Sequence, residues 1–153
     1  MNDKWDQRFL KIAQEVSTWS KDPSTKCGAV VTRGKTIVSL GFNGFPAGCE
    51  DSKELYEDRT VKYARVIHAE INAILSAKQD LTGCTIYVYP LPPCSQCAAA
   101  IIQSGINTVI APPPSDALEG RWGSSIHQAT KMYQEAGVLL LCEDMLLNNK
   151  GTI

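Results

Sequence analysis

Two short segments of the sequence place metal-binding side chains where two helices are predicted to begin. His68 and Glu70 stand in the first turn of one predicted helix, and Cys94 and Cys97, preceded by Pro93, stand in the first turn of another. Proline is favoured at a helix start, and the positive end of the helix dipole favours the thiolate form that binds metal. A shared site requires both helices to direct their N-termini at one point. The chain must therefore fold with these two helix starts side by side.

The types of these side chains favour a catalytic zinc. One histidine and two cysteines leave the fourth position of a tetrahedral zinc open for water or substrate, and Glu70 is expected to shuttle protons rather than to bind the metal. A Cys-x-x-Cys motif is also found as half of a structural zinc site or as a redox pair. The sequence has no second Cys-x-x-Cys and no His-x-x-x-His, and this motif lies past mid-chain. The pattern His-x-Glu followed by Pro-Cys-x-x-Cys resembles the signature of zinc-dependent nucleobase deaminases, so the expected reaction is hydrolytic deamination, in which a zinc-activated water displaces ammonia.

Hydrophobic periodicity predicts one α/β domain spanning residues 1–153, with three α/β/α layers and a mixed five-stranded sheet. Strands alternate with helices from residue 67 onward, which indicates a mostly parallel sheet, and a hairpin at residues 33–35 adds an antiparallel edge. Residues 42–64 and the segment from 112 to 123 are predicted as loops, and about 146–153 as a frayed tail. The predicted helices are 3–20, 67–78, 94–104 and 124–136, and the predicted strands are 27–32, 36–41, 85–89, 107–111 and 138–141.

Composition argues against several other classes of protein. The net charge is −1, whereas a nonspecific nucleic-acid binder usually has a strong basic excess. The sequence contains no signal-peptide pattern and no apolar stretch that approaches the roughly 20 residues of a membrane span. The six cysteines are expected to be reduced thiols rather than disulfides. We therefore expect a cytoplasmic protein without membrane or nucleic-acid partners.

Four segments together resemble the deoxycytidylate (dCMP) deaminase family. They are DPSTKCGAVV (22–31), GFNGFPAGCED (41–51), VIHAEINAI (66–74) and CSQC with the following IIQSGI (94–97, 101–106), and the resemblance spans residues 5 to about 110. tRNA adenosine deaminases usually have a shorter connection before the His-Ala-Glu helix. Nucleoside cytidine deaminases usually have cysteine at the position of His68, and the riboflavin-pathway deaminase has a longer gap between its cysteines. The resemblance is therefore best to the dCMP enzymes.

The resemblance implies a cytidine-deaminase-like fold and conversion of dCMP to dUMP and ammonia, with one catalytic Zn²⁺. It implies that Asn43 binds the deoxyribose hydroxyl and that the backbone N–H of Ala69 reaches the pyrimidine. Ser24, Thr25 and Lys26 are candidates for the 5′-phosphate, although Lys26 is equally consistent with a solvated strand-edge charge.

Regulation and assembly are also implied by the resemblance. The loop that contains Gly44, Phe45 and Gly48 borders an effector site in the family, where dCTP activates and dTTP inhibits, with Mg²⁺ accompanying the triphosphate. Family members are commonly hexamers, so a homo-oligomer is implied. A second zinc occurs in some members, and Cys27, Cys49 and His127 are the weaker candidates for it, with buried free thiols as the alternative.

The sequence departs from the family after residue 111, where well-known members have a Tyr-His-Asp-like stretch. Here Arg121 is a candidate to clamp a phosphate and Trp122 to stack on a base, while a surface arginine beside a packing tryptophan is the alternative. This departure leaves CMP, dCTP or a 5-substituted dCMP open as substrates. A non-catalytic nucleotide-binding or zinc-binding domain is the third hypothesis, and Glu70 argues against it.

Overall fold

The computed structural model of the chain describes residues 4–146. The first helix was predicted over 3–20, but the observed α-helix ends at Ser17. Tight turns continue the chain from there to Ser20. No helix within the described range is long and apolar enough to cross a membrane. The elements in chain order are α1 (Lys4–Ser17), β1 (Gly28–Arg33), β2 (Thr36–Phe42), α2 (Lys53–Glu57), α3 (Arg59–Arg65), α4 (Ala69–Ala77), β3 (Thr85–Tyr89), α5 (Ser95–Gln103), β4 (Thr108–Ala111), α6 (Asp116–Ala136) and β5 (Leu139–Cys142).

The five strands form one mixed sheet, as predicted, and their order in the sheet is β2-β1-β3-β4-β5. β3 pairs with β4 and β4 with β5 in parallel, whereas β1 is antiparallel to both β2 and β3. The expectation of a mostly parallel sheet was wrong, because β1 rather than β2 lies next to β3 and so adds a second antiparallel pairing.

The sheet lies between two helical layers, because alternate strand residues point to opposite faces. Val30, Tyr87 and Ile110 pack on one face with the apolar side of α1. The other face packs against α4, α5 and α6 through Ala29, Val31, Ile86, Val88 and Val109. The predicted three-layer α/β/α fold is thus confirmed, and the larger core lies on the side of α4 and α5.

Helix α4 lies close to β2. A Cβ atom on Gly41 would fall 2.3 Å from the Ala69 carbonyl oxygen and 2.4 Å from the Ala73 nitrogen, so only glycine allows this approach. The Asn72 side-chain amide donates to the Phe42 carbonyl (2.8 Å), which fixes α4 along the strand. Since α4 begins directly after His68, this contact sets the position of the first metal-ligand segment.

Two predicted loops contain helices. Residues 42–64 include α2 and most of α3, and α3 begins where the Asp58 carboxylate accepts the backbone N–H groups of Thr60 and Val61. The segment before residue 124 was predicted as a loop, but α6 begins at Asp116, eight residues earlier than expected. Its N-cap Ser115 accepts the Leu118 N–H (3.4 Å). Capping by these side chains offsets the low helix propensity of the segments they precede. The predicted tail, 146–153, lies outside the described residues except for its first position.

Candidate zinc and substrate site

Three metal-binding side chains converge at the N-termini of α4 and α5. His68 is the N-cap of α4 and Cys94 is the N-cap of α5, and neither side chain makes a capping hydrogen bond. The ligand atoms of His68, Cys94 and Cys97 all lie within 4.8 Å of one another. The predicted convergence of the two helix starts is therefore what the structure shows.

The geometry of this cluster fits zinc. The Nδ1 atom of His68 lies 3.3 Å from Cys97 Sγ and 3.5 Å from Cys94 Sγ. Tetrahedral zinc, with Zn–S of about 2.3 Å and Zn–N of about 2.0–2.1 Å, separates sulfur and nitrogen ligands by roughly 3.6 Å. Within residues 4–146, no other group of three His, Cys, Asp or Glu side chains comes as close together.

The two thiols of the cluster differ in acidity because ionisation of Cys94 disfavours ionisation of the neighbouring Cys97. Hydrogen bonds from Cys97 and from His68 lower the pKa of the Cys94 thiol to about 4. The resulting Cys94 thiolate raises the pKa of Cys97, and burial raises it further. The hydrogen bond with Cys94 also raises the pKa of His68. The metal-free cluster therefore already holds one thiolate, the form that binds a metal.

Glu70 is a buried carboxyl group beside the cluster. Only 5% of the residue is exposed, and its position in the first turn of α4 places it on the wall of the same cleft as His68 and Cys94. Burial raises the pKa of Glu70, and the nearby His68 opposes this shift. Burial thus makes this carboxyl group hold a proton more readily than an exposed glutamate does, and a carboxyl group that accepts and returns a proton can act as a general acid–base.

A cleft opens next to the cluster and collects several of the residues predicted to bind substrate. Thr25, Asn43, Arg121 and Trp122 all line it together with Glu70. The Trp122 ring stands edge-on to His68, with centroids 6.4 Å apart and an interplanar angle of 88°. The Arg121 guanidinium carbon lies 6.0 Å from the Trp122 ring centroid. The early start of α6 is what carries these two side chains to the cleft.

Asn43 is the most constrained of these side chains. It is buried, and its Oδ1 atom accepts the Cys27 backbone N–H at 2.8 Å. Its amide nitrogen donates to the Thr25 carbonyl oxygen at 2.9 Å and to Asp22 Oδ2 at 3.3 Å. Both N–H donors are therefore used within the protein, while one lone pair of Oδ1 remains available.

The other two residues predicted to bind phosphate do not line the cleft. Ser24 is exposed and donates its backbone N–H to Asp22 Oδ1 at 2.8 Å. Lys26 is also an exposed residue, and its ammonium group donates to the Ser20 carbonyl oxygen. Ala69 is buried at the first position of α4, where its backbone N–H belongs to a helix N-terminus.

The three residues of the predicted effector loop, Gly44, Phe45 and Gly48, do not line the cleft that contains Glu70. Gly44 pairs with Ile67 as an isolated antiparallel bridge. The Phe45 ring stacks on Tyr56, with centroids 4.0 Å apart, and its backbone N–H donates to the Tyr56 hydroxyl. Gly48 is exposed and has a φ of +85°, which favours glycine. The role of this loop in regulation stays a prediction.

The three candidates for a second zinc are not gathered by the structure. Cys27 lines the main cleft, and burial raises the pKa of its thiol. Cys49 and His127 are both exposed, and among residues 4–146 they form no three-ligand group with Cys27. The arrangement of these three side chains therefore does not support a second zinc site formed by them.

Sequence reasoning missed one wall of the cleft. Asp22, Lys62, Tyr63 and Val66 line it, and three of them lie on α3 or at its end. Residues 42–64, which contain most of α3, were predicted as a loop because the segment is rich in glycine, proline and aspartate. Asp58 before Arg-Thr-Val was the available signal, since an acidic N-cap marks a helix start.

Comparison with known proteins places the chain in a family. Residues 3–112 match the family described as the cytidine and deoxycytidylate deaminase zinc-binding region. An uncharacterised deaminase from the luxG 3′ region of Aliivibrio fischeri is 49% identical over 138 residues, covering 90% of this chain and 92% of that protein. Mouse deoxycytidylate deaminase is 41% identical over 114 residues, covering 70% of this chain and 64% of that protein. The chain thus spans less than two thirds of the mouse enzyme.

A solved structure supports the fold assignment. The dCMP deaminase of cyanophage S-TIM5, crystallised with dCMP and dUMP, superimposes with a TM-score of 0.72 at 21% identity, covering 94% of this chain and 99% of that chain. At this identity the likeness shows the fold, which is the cytidine-deaminase-like fold that the resemblance implied. The family match over residues 3–112 and the 49% identity to the Aliivibrio fischeri deaminase show that the chain belongs to the cytidine and deoxycytidylate deaminase family of zinc-dependent hydrolytic enzymes.

Proposed function

We propose that the protein converts dCMP to dUMP and ammonia, with Zn²⁺ bound by His68, Cys94 and Cys97 and with Glu70 as the proton shuttle. The observation that carries this proposal is the buried Glu70 carboxyl on the wall of the same cleft as the zinc-ligand cluster. A purely structural zinc has no use for an acid beside an open coordination position. The arrangement therefore favours catalysis over a non-catalytic zinc-binding domain.

The residues divide the chemistry between them. When bound, zinc supplies the activated water of the reaction. The Glu70 carboxylate accepts a proton as the water oxygen bonds to C4 of the pyrimidine, and it delivers that proton to the ring nitrogen. Glu70 then accepts the remaining proton from the new C4 hydroxyl group and passes it to the exocyclic amine as the C4–N bond breaks, so ammonia leaves and C4 becomes the carbonyl of dUMP. The raised pKa of Glu70 supports this double role because the same group must take and give a proton.

Relatives support a deoxycytidine nucleotide as substrate. Deoxycytidylate deaminases from mouse and, as a probable assignment, from Caenorhabditis elegans are 41% and 45% identical over 114 and 113 residues. Asn43 lines the cleft, and the second lone pair of its Oδ1 atom is the proposed acceptor for the deoxyribose hydroxyl. The N–H of Ala69, at a helix N-terminus, is the proposed donor to the pyrimidine.

The α6 side of the cleft offers partners for the rest of the nucleotide. Arg121 is exposed and lines the cleft, and its guanidinium suits bidentate binding of a phosphate. Trp122, whose ring is near both Arg121 and the proposed zinc ligand His68, offers an aromatic surface for the base. Thr25 is the one member of the predicted phosphate-binding turn that lines the cleft. Regulation by dCTP and dTTP with Mg²⁺, assembly into a homo-oligomer and a cytoplasmic location remain predictions from the family resemblance.

An ammonia-release assay tests the proposal directly. Zinc-loaded protein is supplied separately with dCMP, CMP, deoxycytidine, dCTP and 5-hydroxymethyl-dCMP, and we expect the highest kcat/KM with dCMP. If zinc-loaded protein releases ammonia from none of these compounds, the proposal that the protein is a deaminase is rejected. Equal activity on deoxycytidine would reject the assignment to a nucleotide, and a preference for CMP would reject the assignment to a deoxynucleotide.

A further inference from the structure

Helix α3 forms part of the cleft wall but has few attachments to the rest of the fold. None of its seven residues, Arg59–Arg65, is buried, and among the described elements it packs only against α2. Nevertheless Lys62 and Tyr63 on α3, and Val66 at its end, line the cleft beside His68. Some specific contact must hold this helix in place, because it has no apolar core of its own.

That contact is an ion pair between Lys62 and Asp22. The Lys62 Nζ atom lies 2.9 Å from Asp22 Oδ1, and the two side chains are only 12% and 3% exposed. The ion pairs Lys21–Asp51 and Lys53–Glu57 differ, since all four of their side chains are at least 45% exposed. Within residues 4–146, Lys62–Asp22 is the one side-chain hydrogen bond that joins α3 to another part of the fold. Exposed pairs contribute little, whereas loss of one partner from a buried pair leaves an uncompensated charge.

Asp22 connects this ion pair to the nucleotide-binding side chains. Its Oδ1 atom also accepts the Ser24 backbone N–H at 2.8 Å, and its Oδ2 atom accepts the Asn43 amide at 3.3 Å. Asn43 in turn holds the Thr25 carbonyl and the Cys27 N–H. The Lys62 charge is therefore coupled through one buried carboxylate to the orientation of the Asn43 amide.

We propose that Lys62 and Asp22 are positioning residues for substrate binding, whose ion pair holds α3 as a wall of the cleft and fixes the Asn43 amide in its substrate-binding orientation. The inference rests on the proposed function, because it assigns the residues that shape the nucleotide pocket. Glu70 and the zinc ligands belong to α4 and α5, which are held by the main core. Loss of the ion pair should therefore weaken substrate binding more than it slows the chemical step.

Hydrogen exchange of the intact protein tests the structural part without requiring any activity. In Lys62→Met we expect the backbone amides of residues 62–66 to exchange about tenfold faster than in the wild type, because α3 loses its attachment. Lys53→Met, which removes an exposed charge on neighbouring α2, should leave their exchange unchanged, and Lys62→Arg should restore most of the protection. Wild-type exchange in Lys62→Met would overturn the proposal.

A double variant covers the case in which Lys62→Met folds poorly. Asp22→Asn with Lys62→Met removes both charges, so no buried carboxylate is left unpaired, and the same faster exchange of α3 is expected. Protection at the wild-type level in this double variant would equally overturn the proposal.

Steady-state kinetics with zinc-loaded protein test the substrate-binding part. Lys62→Met is expected to raise KM for dCMP about tenfold while kcat changes by less than about threefold, and Lys62→Arg should recover most of the affinity. The same loss is expected for deoxycytidine, since a positioning role does not depend on the phosphate. A loss confined to dCMP, with unchanged exchange of α3, would mean that Lys62 only contacts phosphate and would overturn the positioning role. If the wild type fails to deaminate dCMP, the proposed function fails, while the exchange result still decides whether the ion pair holds α3.

Discussion

The close approach of α4 to β2 at Gly41 makes the position of the zinc site sensitive to one methyl group. In Gly41→Ala the new Cβ would lie 2.3 Å from the Ala69 carbonyl oxygen and 2.4 Å from the Ala73 nitrogen. Both atoms belong to the backbone of α4, so no side-chain rotation relieves the clash. The helix itself must move away from the strand, and His68 and Glu70 at its start move with it.

The size of this shift follows from the distances. Ordinary van der Waals contact begins near 3.4 Å, so α4 must retreat by roughly 1 Å, an overpacking change that typically costs about 1–3 kcal/mol of unfolding free energy. A misplacement of catalytic groups by about 1 Å can lower the rate about 10²-fold. We therefore expect Gly41→Ala to lose about 1–3 kcal/mol of stability and about 10²-fold in turnover of dCMP.

Urea unfolding, zinc content and initial rates of ammonia release measure these effects. Gly120→Ala on α6 is the matched control, because its Cβ meets no heavy atom within 4 Å, and replacing a helical glycine should raise stability by about 0.5–1 kcal/mol. Wild-type stability in Gly41→Ala would refute the packing argument. Reduced stability with unchanged turnover would refute the link between this contact and the site.

Two further perturbations have outcomes set by the structure. Zinc binding to the metal-free protein at pH 7 should release about one to two protons, from Cys97 and in part from His68, because the pKa of each is raised while the pKa of Cys94 is lowered to about 4. Zinc affinity should accordingly rise with pH through neutrality. Calorimetry in buffers of different ionisation enthalpy measures the proton release, and a binding enthalpy that is the same in every buffer would contradict it. Ser115→Ala removes the N-cap of α6 and should cost about 1 kcal/mol in urea unfolding, whereas an unchanged midpoint would contradict the capping contact.

The fold could be predicted from the sequence wherever apolar periodicity was strong. All five strands and helices α1, α4 and α5 lie near their predicted positions, because buried alternation and helical spacing are directly visible in the residues. Helices α2 and α3 and the part of α6 before residue 124 could not be predicted in this way. α3 buries no side chain, and the start of α6 contains Gly120 and Gly123, so local capping by Asp58 and Ser115 rather than an apolar face marks these helices.

The candidate site likewise contains residues that could be predicted from the sequence and residues that could not. The zinc ligands could be predicted because their type and spacing are themselves the chemical requirement. The cleft wall could not, because Lys62 and Asp22 are distant in sequence and meet only through the tertiary fold. Lys26, by contrast, looked suitable as a cation but donates to the Ser20 carbonyl outside the cleft.

Substitution of Glu70 tests most directly whether the protein is a zinc-dependent deaminase in which this residue shuttles the proton. Glu70→Gln preserves the shape of the side chain but removes the proton-accepting carboxylate, while His68, Cys94 and Cys97 are unchanged. We expect the purified variant to hold zinc at the wild-type stoichiometry and to lose turnover of dCMP by about 10²–10⁴-fold or more. Loss of zinc would mean that Glu70 acts in metal binding, and retention of wild-type turnover would contradict its role as the proton shuttle.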